Sequence, residues 1–299
     1  MPAPHTDRAG PQGKKAESSE FVDSLRKGAL IGAALLVLIV PSLRMAKNHQ
    51  AQQRAQVATA PSSPAPVDGA RLQVAPALRL ADFKGEDPTP QARQVANWVA
   101  FTGNNGRHAF VIVGKKDARV YVFAPDGSLK DSAPALLGSA RGDDTFPGVG
   151  DKPLSAVRPE EKTTPAGRFV AEPGTNSGHE DVVWVDYNAA VSMHRIRPLV
   201  ARERRLERLA SLTTDDNRIS FGCINLPVSF YENVLNPTVR KQGAIIYVLP
   251  EVKTAQEVFG AFDVTDPQQV AAWRQQQAMK VAAARGQALQ KVVLQQPAR

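Results

Sequence analysis

Cysteine and aromatic residues are both scarce in this chain, and each scarcity excludes a class of function. Cys223 is the only cysteine among 299 residues, which excludes an internal disulfide and a thiolate zinc cluster because both need several sulfurs. Aromatic residues make up 6% of the sequence, and no stretch interleaves them with basic residues as a single-strand binding face does. The formal charge is +8, but lysine and arginine are scattered among acidic residues rather than gathered in one block. We therefore expect no nucleic-acid partner.

One long uncharged run lies near the N-terminus. Residues 28–44 read GALIGAALLVLIVPSLR, and Arg44 is the first charge in this run. A helix of about 16 residues at about 1.5 Å each spans about 24 Å, less than the ~30 Å hydrocarbon core of a bilayer, but Arg26, Lys27 and Arg44 can snorkel at its ends. Basic residues are more frequent before the run than after it, which predicts a cytoplasmic tail at 1–27 and export of the rest. We therefore expect a transmembrane helix that anchors the chain, with a cleaved signal peptide as the alternative.

The remainder of the chain divides into three parts by composition. Residues 45–77 are rich in Ala, Gln, Pro and Ser and hold too little apolar content to fold, which predicts a flexible linker. Residues 78–250 carry the patterns of strands and a helix, and we expect them to form the folded domain. Residues 251–299 are rich in Ala and Gln, which predicts a helical or partly disordered extension that is helical from Pro267 onward.

The patterns within the folded domain predict a mostly β architecture. Thr89 followed by Pro90, with apolar residues at helical spacing after them, predicts one helix that ends near Gly103. Short apolar runs bounded by Gly, Pro and Asp predict a hairpin and further strands. These runs are Ala109–Val113, Arg119–Phe123, Gly167–Glu172, Val182–Val185, Ala190–Ile196 and Gly243–Leu249. Many short strands and few helices predict a mostly β domain.

The lone cysteine lies in the segment RISFGCINLP. Gly222 before it can adopt a positive φ and lets another chain approach closely. The residues from Cys223 onward, CINLPVSFYENVL, predict a helix that begins at the thiol. At such a position the unpaired N–H groups and the helix dipole would lower the thiol pKa and offer donors to an oxyanion. This setting favours a nucleophile over the alternative, a small buried hydrophobic residue.

A cysteine nucleophile needs an imidazole within hydrogen-bond reach, and one histidine fits best. His194 lies in AVSMHRI, where strand alternation places Ser192 and His194 on one face and Val191 and Met193 on the other. We expect the other histidines to lie in the tail, beside the apolar run or on the solvent-facing surface. They are His5, His49, His108 and His179. His194 is therefore the candidate base, with a hydrogen-bonded structural histidine as the open alternative.

Taken together, these residues resemble the catalytic domain of bacterial L,D-transpeptidases. That family has a histidine on a strand, then Ser/Thr-His-Gly-Cys, an apolar residue, and Arg or Asn; here His194 precedes Ser220–Asn225. Upstream, Thr163–Phe169 (TTPAGRF) resembles the family's Thr-Pro-x-Gly-x-Phe hairpin, and Gly243–Leu249 resembles its closing strand. The resemblance extends from about Ala109 to Pro250. It implies an L,D-transpeptidase-like β-sandwich or barrel with a few helices.

Two features depart from the family pattern. Phe221 stands where most members have a second histidine, although some members also lack it. The segment between His194 and Ser220 is longer than usual, and residues 198–217 alternate Arg with Glu, which predicts a charged helix with an apolar edge. This insert is either an exposed helix balanced by its own acids or a lid whose arginines hold peptide carboxylates.

The resemblance implies a cysteine acyltransferase of the cell wall. His194 would take the thiol proton, and Cys223 would attack the amide between an L-centre and the terminal D-alanine of a peptidoglycan stem peptide. The acyl group would then pass to an amine of another stem. Backbone N–H groups of Gly222 and Cys223 are candidate oxyanion donors, while Ser220 and Asn225 are candidates for shaping the site. A thiol with a base needs no metal or organic cofactor.

The same residues allow several other functions. Water as acceptor would make the protein an L,D-carboxypeptidase, and an amine of another envelope protein would make it an attachment enzyme. A non-catalytic module that binds peptidoglycan is a further alternative, since Phe221 replaces a histidine. In each case we expect the partner to be the stem peptides of peptidoglycan, and the location to be the inner membrane with the domain in the periplasm.

Overall fold

The structure is a computed structural model that describes residues 79–294, with side chains through residue 287. The predicted tail at 1–27, the anchor at 28–44 and the linker at 45–77 lie outside the described residues. Within the described range, no helix has both the length and the apolar character needed to cross a membrane.

The described chain contains many short strands and few long helices, as the sequence predicts. The strands are β1 (Ala109–Gly114), β2 (Arg119–Phe123), β3 (Leu129–Pro134), β4 (Leu137–Gly138), β5 (Gly167–Val170), β6 (Glu172–Thr175), β7 (Asp181–Asp186), β8 (Val191–Arg195), β9 (Arg218–Ser220), β10 (Ile224–Leu226) and β11 (Ala244–Val248). The α-helices are α1 (Pro90–Thr102), α2 (Arg205–Ala210), α3 (Val228–Phe230), α4 (Asn236–Gln242), α5 (Ala255–Phe259) and α6 (Pro267–Leu294). A π-helical turn at Tyr231–Leu235 joins α3 to α4. The prediction of a mostly β fold with a few helices is confirmed.

Two sheets form the body of the fold. The larger sheet has the strand order β3-β2-β1-β11-β5, and the smaller one has the order β10-β8-β7-β6. Most neighbours are antiparallel, but β1 pairs with β11 and β8 pairs with β10 in parallel. The predicted first hairpin is confirmed, since β1 and β2 pair antiparallel with Val111 opposite Val122.

One hydrophobic core lies between the two sheets. On β1, alternate residues such as Val111 and Val113 belong to this core, together with Val183 of β7, Met193 of β8 and Ile224 of β10. All five side chains have no exposed surface. Because strand side chains alternate between faces, this core uses one face of each sheet and leaves the other face of β8 and β10 to line a site.

A second core covers the outer face of the larger sheet. Phe110 and Ile112 of β1 pack there against α1, and Tyr247 of β11 packs beside Trp98 of α1. Helix α1 forms as predicted: Thr89 Oγ1 accepts a hydrogen bond from the Ala92 N–H. The helix ends at Gly103, in the left-handed conformation that glycine adopts at little cost.

The packing of the second core continues beyond Pro250. Ala255, Ala261 and Val264 are buried in it, and the Trp273 ring near the start of α6 lies 5.3 Å from the Phe101 ring of α1. The predicted helix from Pro267 is confirmed, and its first turns are therefore held against the domain.

The helix predicted from Cys223 onward is wrong at its start. Ile224–Leu226 forms β10, and α3 begins only at Val228. Pro227 explains the difference, because a residue that precedes proline is driven toward extended backbone, and the parallel pairing with β8 supplies the hydrogen bonds. The thiol therefore does not lie at a helix N-terminus, and a helix dipole cannot lower its pKa.

Candidate active site

Parallel pairing of β8 and β10 brings the predicted nucleophile and base to one face of the smaller sheet. Ile224 lies opposite Met193, so the residues that precede them, Cys223 and Ser192, are neighbours. Met193 points into the core. Ser192 and His194 therefore point away from the core, as the alternation predicts, and both line one cleft with Cys223.

The turn before Cys223 requires glycine. Gly222 has φ +127, and a Cβ added there would lie 2.7 Å from the Thr163 carbonyl oxygen. Ser220 Oγ closes the turn: it accepts from the Gly222 N–H at 3.1 Å and donates to the Cys223 carbonyl oxygen at 2.6 Å. Thr164 Oγ1 holds the turn from the other side by donating to the Gly222 carbonyl oxygen at 2.8 Å. The Thr164 hydrogen bond thus joins the hairpin at Thr163–Phe169 to the cysteine segment, residues Ser220–Asn225.

The Cys223 side chain is partly exposed and meets two oxygens. Its Sγ lies 3.7 Å from Ser192 Oγ and 3.5 Å from the Ala190 carbonyl oxygen. Ala190 adopts a left-handed φ of 54 at the end of the turn between β7 and β8, where its N–H donates to the Tyr187 carbonyl oxygen. Sequence reasoning placed Ser192 on the face of His194 but did not identify its contact with the thiol.

Cys223 and His194 shift each other's pKa in opposite directions. Burial by itself raises the pKa of the Cys223 thiol, but the hydrogen bond and the charge of His194, followed by contacts with Ser192, outweigh it and lower that pKa. Burial by itself lowers the pKa of His194, but the hydrogen bond and the charge of Cys223, followed by the Arg195 carbonyl, raise it. Both shifts favour a thiolate beside an imidazolium.

The orientation of the His194 ring is fixed by a backbone hydrogen bond. Its Nδ1 lies 2.8 Å from the Arg195 carbonyl oxygen. A carbonyl oxygen only accepts, so Nδ1 carries a hydrogen, and Nε2 is the nitrogen that can exchange a proton with Cys223. The sequence predicts a base at this position, and the structure supplies the tautomer that the role needs.

Two other histidines lie within the described residues, and neither lines the cleft of Cys223. His108 and His179 are exposed, as predicted, and His179 lines a second cavity that His194 also lines. His5 and His49 lie outside the described residues. Within the described residues, no group of His, Cys, Asp or Glu side chains has an arrangement that could hold a metal ion.

The thiol and the imidazole line a cleft of about 990 Å³. Its other walls are the turn at 187–190, the turn at 175–177 and residues between 148 and 154. His194 also lines a second cavity of about 320 Å³, together with His179, Glu180 and Arg197. Cys223 lines the larger cleft and not this one.

Asn225 is buried, and it links the cysteine segment to the insert. Its Nδ2 donates to the Cys223 carbonyl oxygen at 3.3 Å, and its Oδ1 accepts from Arg205 of α2 at 2.7 Å. Arg205 also pairs with Glu203 at 2.6 Å. The site-shaping role predicted for Asn225 thus has a structural basis, while sequence reasoning did not identify Arg205 as its partner.

The insert forms a short helix, and its other arginines contact the insert itself. Arg204 and Arg208 line a separate cavity of about 330 Å³ with Glu207 and Asp216. Arg208 donates to the carbonyl oxygens of Glu203 and Asp216. Two arginines of the insert pair with its own acids, Arg205 with Glu203 at 2.6 Å and Arg204 with Glu207 at 3.9 Å. These pairs favour the first alternative, a helix balanced by its own acids.

Phe221 occupies the position where the L,D-transpeptidase motif, which this segment resembles, usually has a second histidine. Its ring is 40% exposed, and Lys162 Nζ lies 4.2 Å from the ring centroid. The contact is a cation–π interaction. A phenyl ring cannot exchange a proton, so His194 is the imidazole available to Cys223.

A buried charged network lies beneath the hairpin that holds Gly222. Lys115 Nζ donates to Asp143 at 2.8 Å and to the Thr164 carbonyl oxygen at 3.0 Å. Glu251 joins the network through Arg218, at 2.6 Å. The sequence segment GKKDA predicts a turn, and nothing in that local pattern indicates that Lys115 is buried.

No family model matches this sequence, and no curated protein sequence matches it. Solved structures are similar to it. An Enterococcus faecium L,D-transpeptidase is 16% identical with a TM-score of 0.27, over 48% of this chain and 50% of that one. A Mycobacterium smegmatis L,D-transpeptidase is 16% identical with a TM-score of 0.27, over 47% of this chain and 58% of that one.

The helical cell shape determining protein Pgp2 of Campylobacter jejuni is 16% identical with a TM-score of 0.32, over 56% of this chain and 58% of that one. The matched region spans about half the length of the Enterococcus faecium protein. Solved structures similar to this chain include L,D-transpeptidases.

Proposed function

We propose that this chain is a cysteine acyltransferase that acts on peptidoglycan stem peptides as an L,D-transpeptidase does. The observation that carries the proposal is geometric: parallel pairing of β8 and β10 places Cys223 and His194 on the wall of one open cleft. The directions of their pKa shifts agree with it. The substrate class comes from the motif resemblance, in which His194, the Thr163–Phe169 hairpin and the Ser220–Asn225 segment occur in the family's order.

The first half of the reaction is acylation of the thiol. His194 Nε2 takes the proton of Cys223, and the thiolate attacks the carbonyl carbon between the L-centre of the third stem residue and D-alanine. The C–N bond breaks, the imidazolium returns its proton to the departing amine, and D-alanine leaves. A thioester on Cys223 remains.

The tetrahedral intermediate needs a hydrogen-bond donor for its oxyanion. The Gly222 N–H already donates to Ser220 Oγ, so the Cys223 N–H is the stronger of the two predicted candidates. Loss of one such donor costs about 2.7 to 4 kcal/mol of transition-state stabilisation in other acyl transferases. Ser220 and Asn225 hold the segment that presents this N–H.

The second half of the reaction transfers the acyl group. An amine of a neighbouring stem peptide loses its proton to His194 and attacks the thioester, which regenerates the thiol and forms the cross-link. The cleft of about 990 Å³ that Cys223 lines is where the acceptor amine would reach the thioester.

The proposal includes a location. Residues 28–44 would anchor the chain in the inner membrane, and the ~30-residue linker, with an r.m.s. span on the order of 30 Å, would let the domain reach the wall from the periplasmic side. This part depends on the sequence pattern alone.

Mass spectrometry of the full-length chain incubated with disaccharide tetrapeptides tests the proposal. We expect release of D-alanine, a thioester mass on Cys223 and cross-linked dimers. Cys223→Ala and His194→Ala abolish all of them, whereas His108→Ala, an exposed histidine, retains them. D-alanine release without dimers assigns a carboxypeptidase. Binding of the tetrapeptide without D-alanine release contradicts an enzyme and favours a binding module.

A further inference from the structure

An aromatic side chain lies in the same row of the smaller sheet as the thiol. Trp184 on β7 is paired with Ser192 on β8, and Ser192 Oγ lies 3.7 Å from Cys223 Sγ. Neighbouring strands are about 4.8 Å apart, so two steps across the sheet place Trp184 about 10 Å from Cys223. Both residues line the 990 Å³ cleft.

A second ring extends this aromatic surface into the cleft. Tyr187 is 71% exposed, and its ring centroid lies 5.0 Å from that of Trp184 at an interplanar angle of 71°. The indole rests on Gly174, where an added Cβ would lie 2.6 Å from Trp184 Nε1. The position of the indole is therefore set by the strand beneath it, and the pair presents a preformed ring surface to solvent.

The side chains around this pair are mainly uncharged hydrogen-bonding groups. Thr175 at the end of β6, Ser177 and Asn188 line the same cleft as the two rings. Its charged side chains include Asp151 and Arg197, and Arg197 pairs with Glu180 at 3.3 Å. Aromatic faces next to hydroxyl and amide groups suit a neutral polyhydroxylated ring, which offers C–H faces and hydroxyl edges, better than they suit a charged peptide.

We propose that Trp184 and Tyr187 form a subsite for an N-acetylhexosamine ring of the glycan strand to which the stem peptide is attached. The inference rests on the proposed function, because it takes the acyl carbon to be at Cys223. The stem joins the sugar through its first residue, and the attacked carbonyl belongs to the third. Three extended residues span at most about 10 to 11 Å, which matches the separation of the thiol from Trp184.

The test compares two donors on the full-length chain: the free tetrapeptide and the disaccharide tetrapeptide. In the wild type we expect kcat/KM for the disaccharide donor to be about fivefold higher, as a ring contact of about 1 kcal/mol gives. Tyr187→Ala brings the ratio of the two kcat/KM values to about one. Tyr187→Phe keeps the ring and keeps the ratio, as does Met279→Ala, an exposed residue of α6.

Equal kcat/KM values for the two donors in the wild type overturn the subsite and leave the acyltransferase proposal standing. A direct binding measurement separates the two proposals if neither donor reacts. In the full-length chain we expect the free disaccharide to shift the indole N–H resonance of Trp184, with Trp98 and Trp273 as internal references, and Tyr187→Ala to reduce that shift. An unmoved Trp184 resonance at saturating disaccharide overturns the subsite whatever the activity.

Discussion

Thr164 Oγ1 donates a hydrogen bond to the carbonyl oxygen of Gly222 at 2.8 Å, and this bond joins the Thr-Pro hairpin to the residue before Cys223, the proposed nucleophile. The same hydroxyl oxygen accepts from the Gly138 N–H at 2.9 Å. Thr164 also accepts a hydrogen bond from Lys115 through its carbonyl oxygen. One buried threonine thus connects three segments that are far apart in sequence and fixes where Cys223 lies.

Thr164→Val is expected to lower both the stability of the fold and the activity. Valine keeps the shape but leaves the Gly138 N–H without its acceptor and the Gly222 carbonyl without its donor, at about 1 to 3 kcal/mol for a buried unsatisfied group. We expect kcat/KM to fall about tenfold or more, since a misplaced nucleophile costs rate directly. Thr164→Ser restores the hydroxyl and most of the activity. A valine variant with wild-type kcat/KM contradicts the role given to this bond.

Gly222→Ala is expected to displace the nucleophile. The substitution adds a Cβ 2.7 Å from the Thr163 carbonyl oxygen at a φ of +127, so the backbone must move. A shift of about 1 Å at a reacting group can cost about 100-fold in rate, and steady-state kinetics measures it. Gly260→Ala is the control, because its φ of +69 is also positive while no atom lies within 4 Å of an added Cβ. Equal kinetics for the two variants would contradict the account.

Asp143→Asn is expected to destabilise the fold by about 3 to 5 kcal/mol, because it removes the nearer charged partner of the buried Lys115 and leaves only Glu251, at 3.6 Å. Chemical denaturation of the full-length chain measures the change. Asp144→Asn, whose partner Lys253 is at the surface, changes stability by less than about 1 kcal/mol. Similar losses of unfolding free energy in Asp143→Asn and Asp144→Asn would show that the buried ion pair of Lys115 stabilises the fold no more than a surface pair does.

The pH dependence of that stability has a definite sign. Burial by itself raises the pKa of Asp143, but hydrogen bonds from Lys115 and from three backbone N–H groups outweigh it and lower the pKa to about 2, from an ordinary 3.8. A depressed folded-state pKa contributes stability that is complete above the unfolded value and is lost as the pH falls toward the folded one. We expect the difference between wild type and Asp143→Asn to shrink as the pH drops from about 4 toward 2.

Arg205→Met tests whether the insert supports the site. It removes the donor to Asn225 Oδ1 and leaves that oxygen, which is fully buried, without its partner. We expect a loss of about 1 to 3 kcal/mol in stability and a fall of about fivefold in kcat/KM. Arg204→Met is the neighbouring control. The Arg204 side chain is 71% exposed, and its ion pair with Glu207 is long, at 3.9 Å. If both variants behave alike, the Arg205 contact with Asn225 has no special role.

The sequence predicts the parts of the site that depend on local pattern. Alternation along AVSMHRI correctly places Ser192 and His194 on the face away from Met193, because a strand has a period of two residues. Glycine before the cysteine correctly predicts a positive φ at Gly222, because few other residues adopt one. Thr89 and Pro90 likewise predict the start of α1 through their backbone preferences.

The parts that the sequence does not predict depend on pairing between distant segments. The helix expected at Cys223 is a strand because Ile224–Leu226 pairs with β8, and no local pattern specifies that register. The burial of Lys115 follows from Asp143 and Glu251, which lie elsewhere in the chain. The row of Trp184, Ser192 and Cys223 crosses three strands, so it exists only once their register is fixed.

The pH dependence of Cys223 alkylation by iodoacetamide, followed by mass spectrometry on the full-length chain, tests the central claim most directly. The account predicts a midpoint below the ordinary thiol pKa of 9.0, because the imidazolium of His194 stabilises the thiolate. His194→Ala is expected to move the midpoint upward, and His108→Ala is expected to leave it unchanged. A wild-type midpoint at or above 9.0, equal to that of His194→Ala, would contradict the pairing on which the proposed acyl transfer depends.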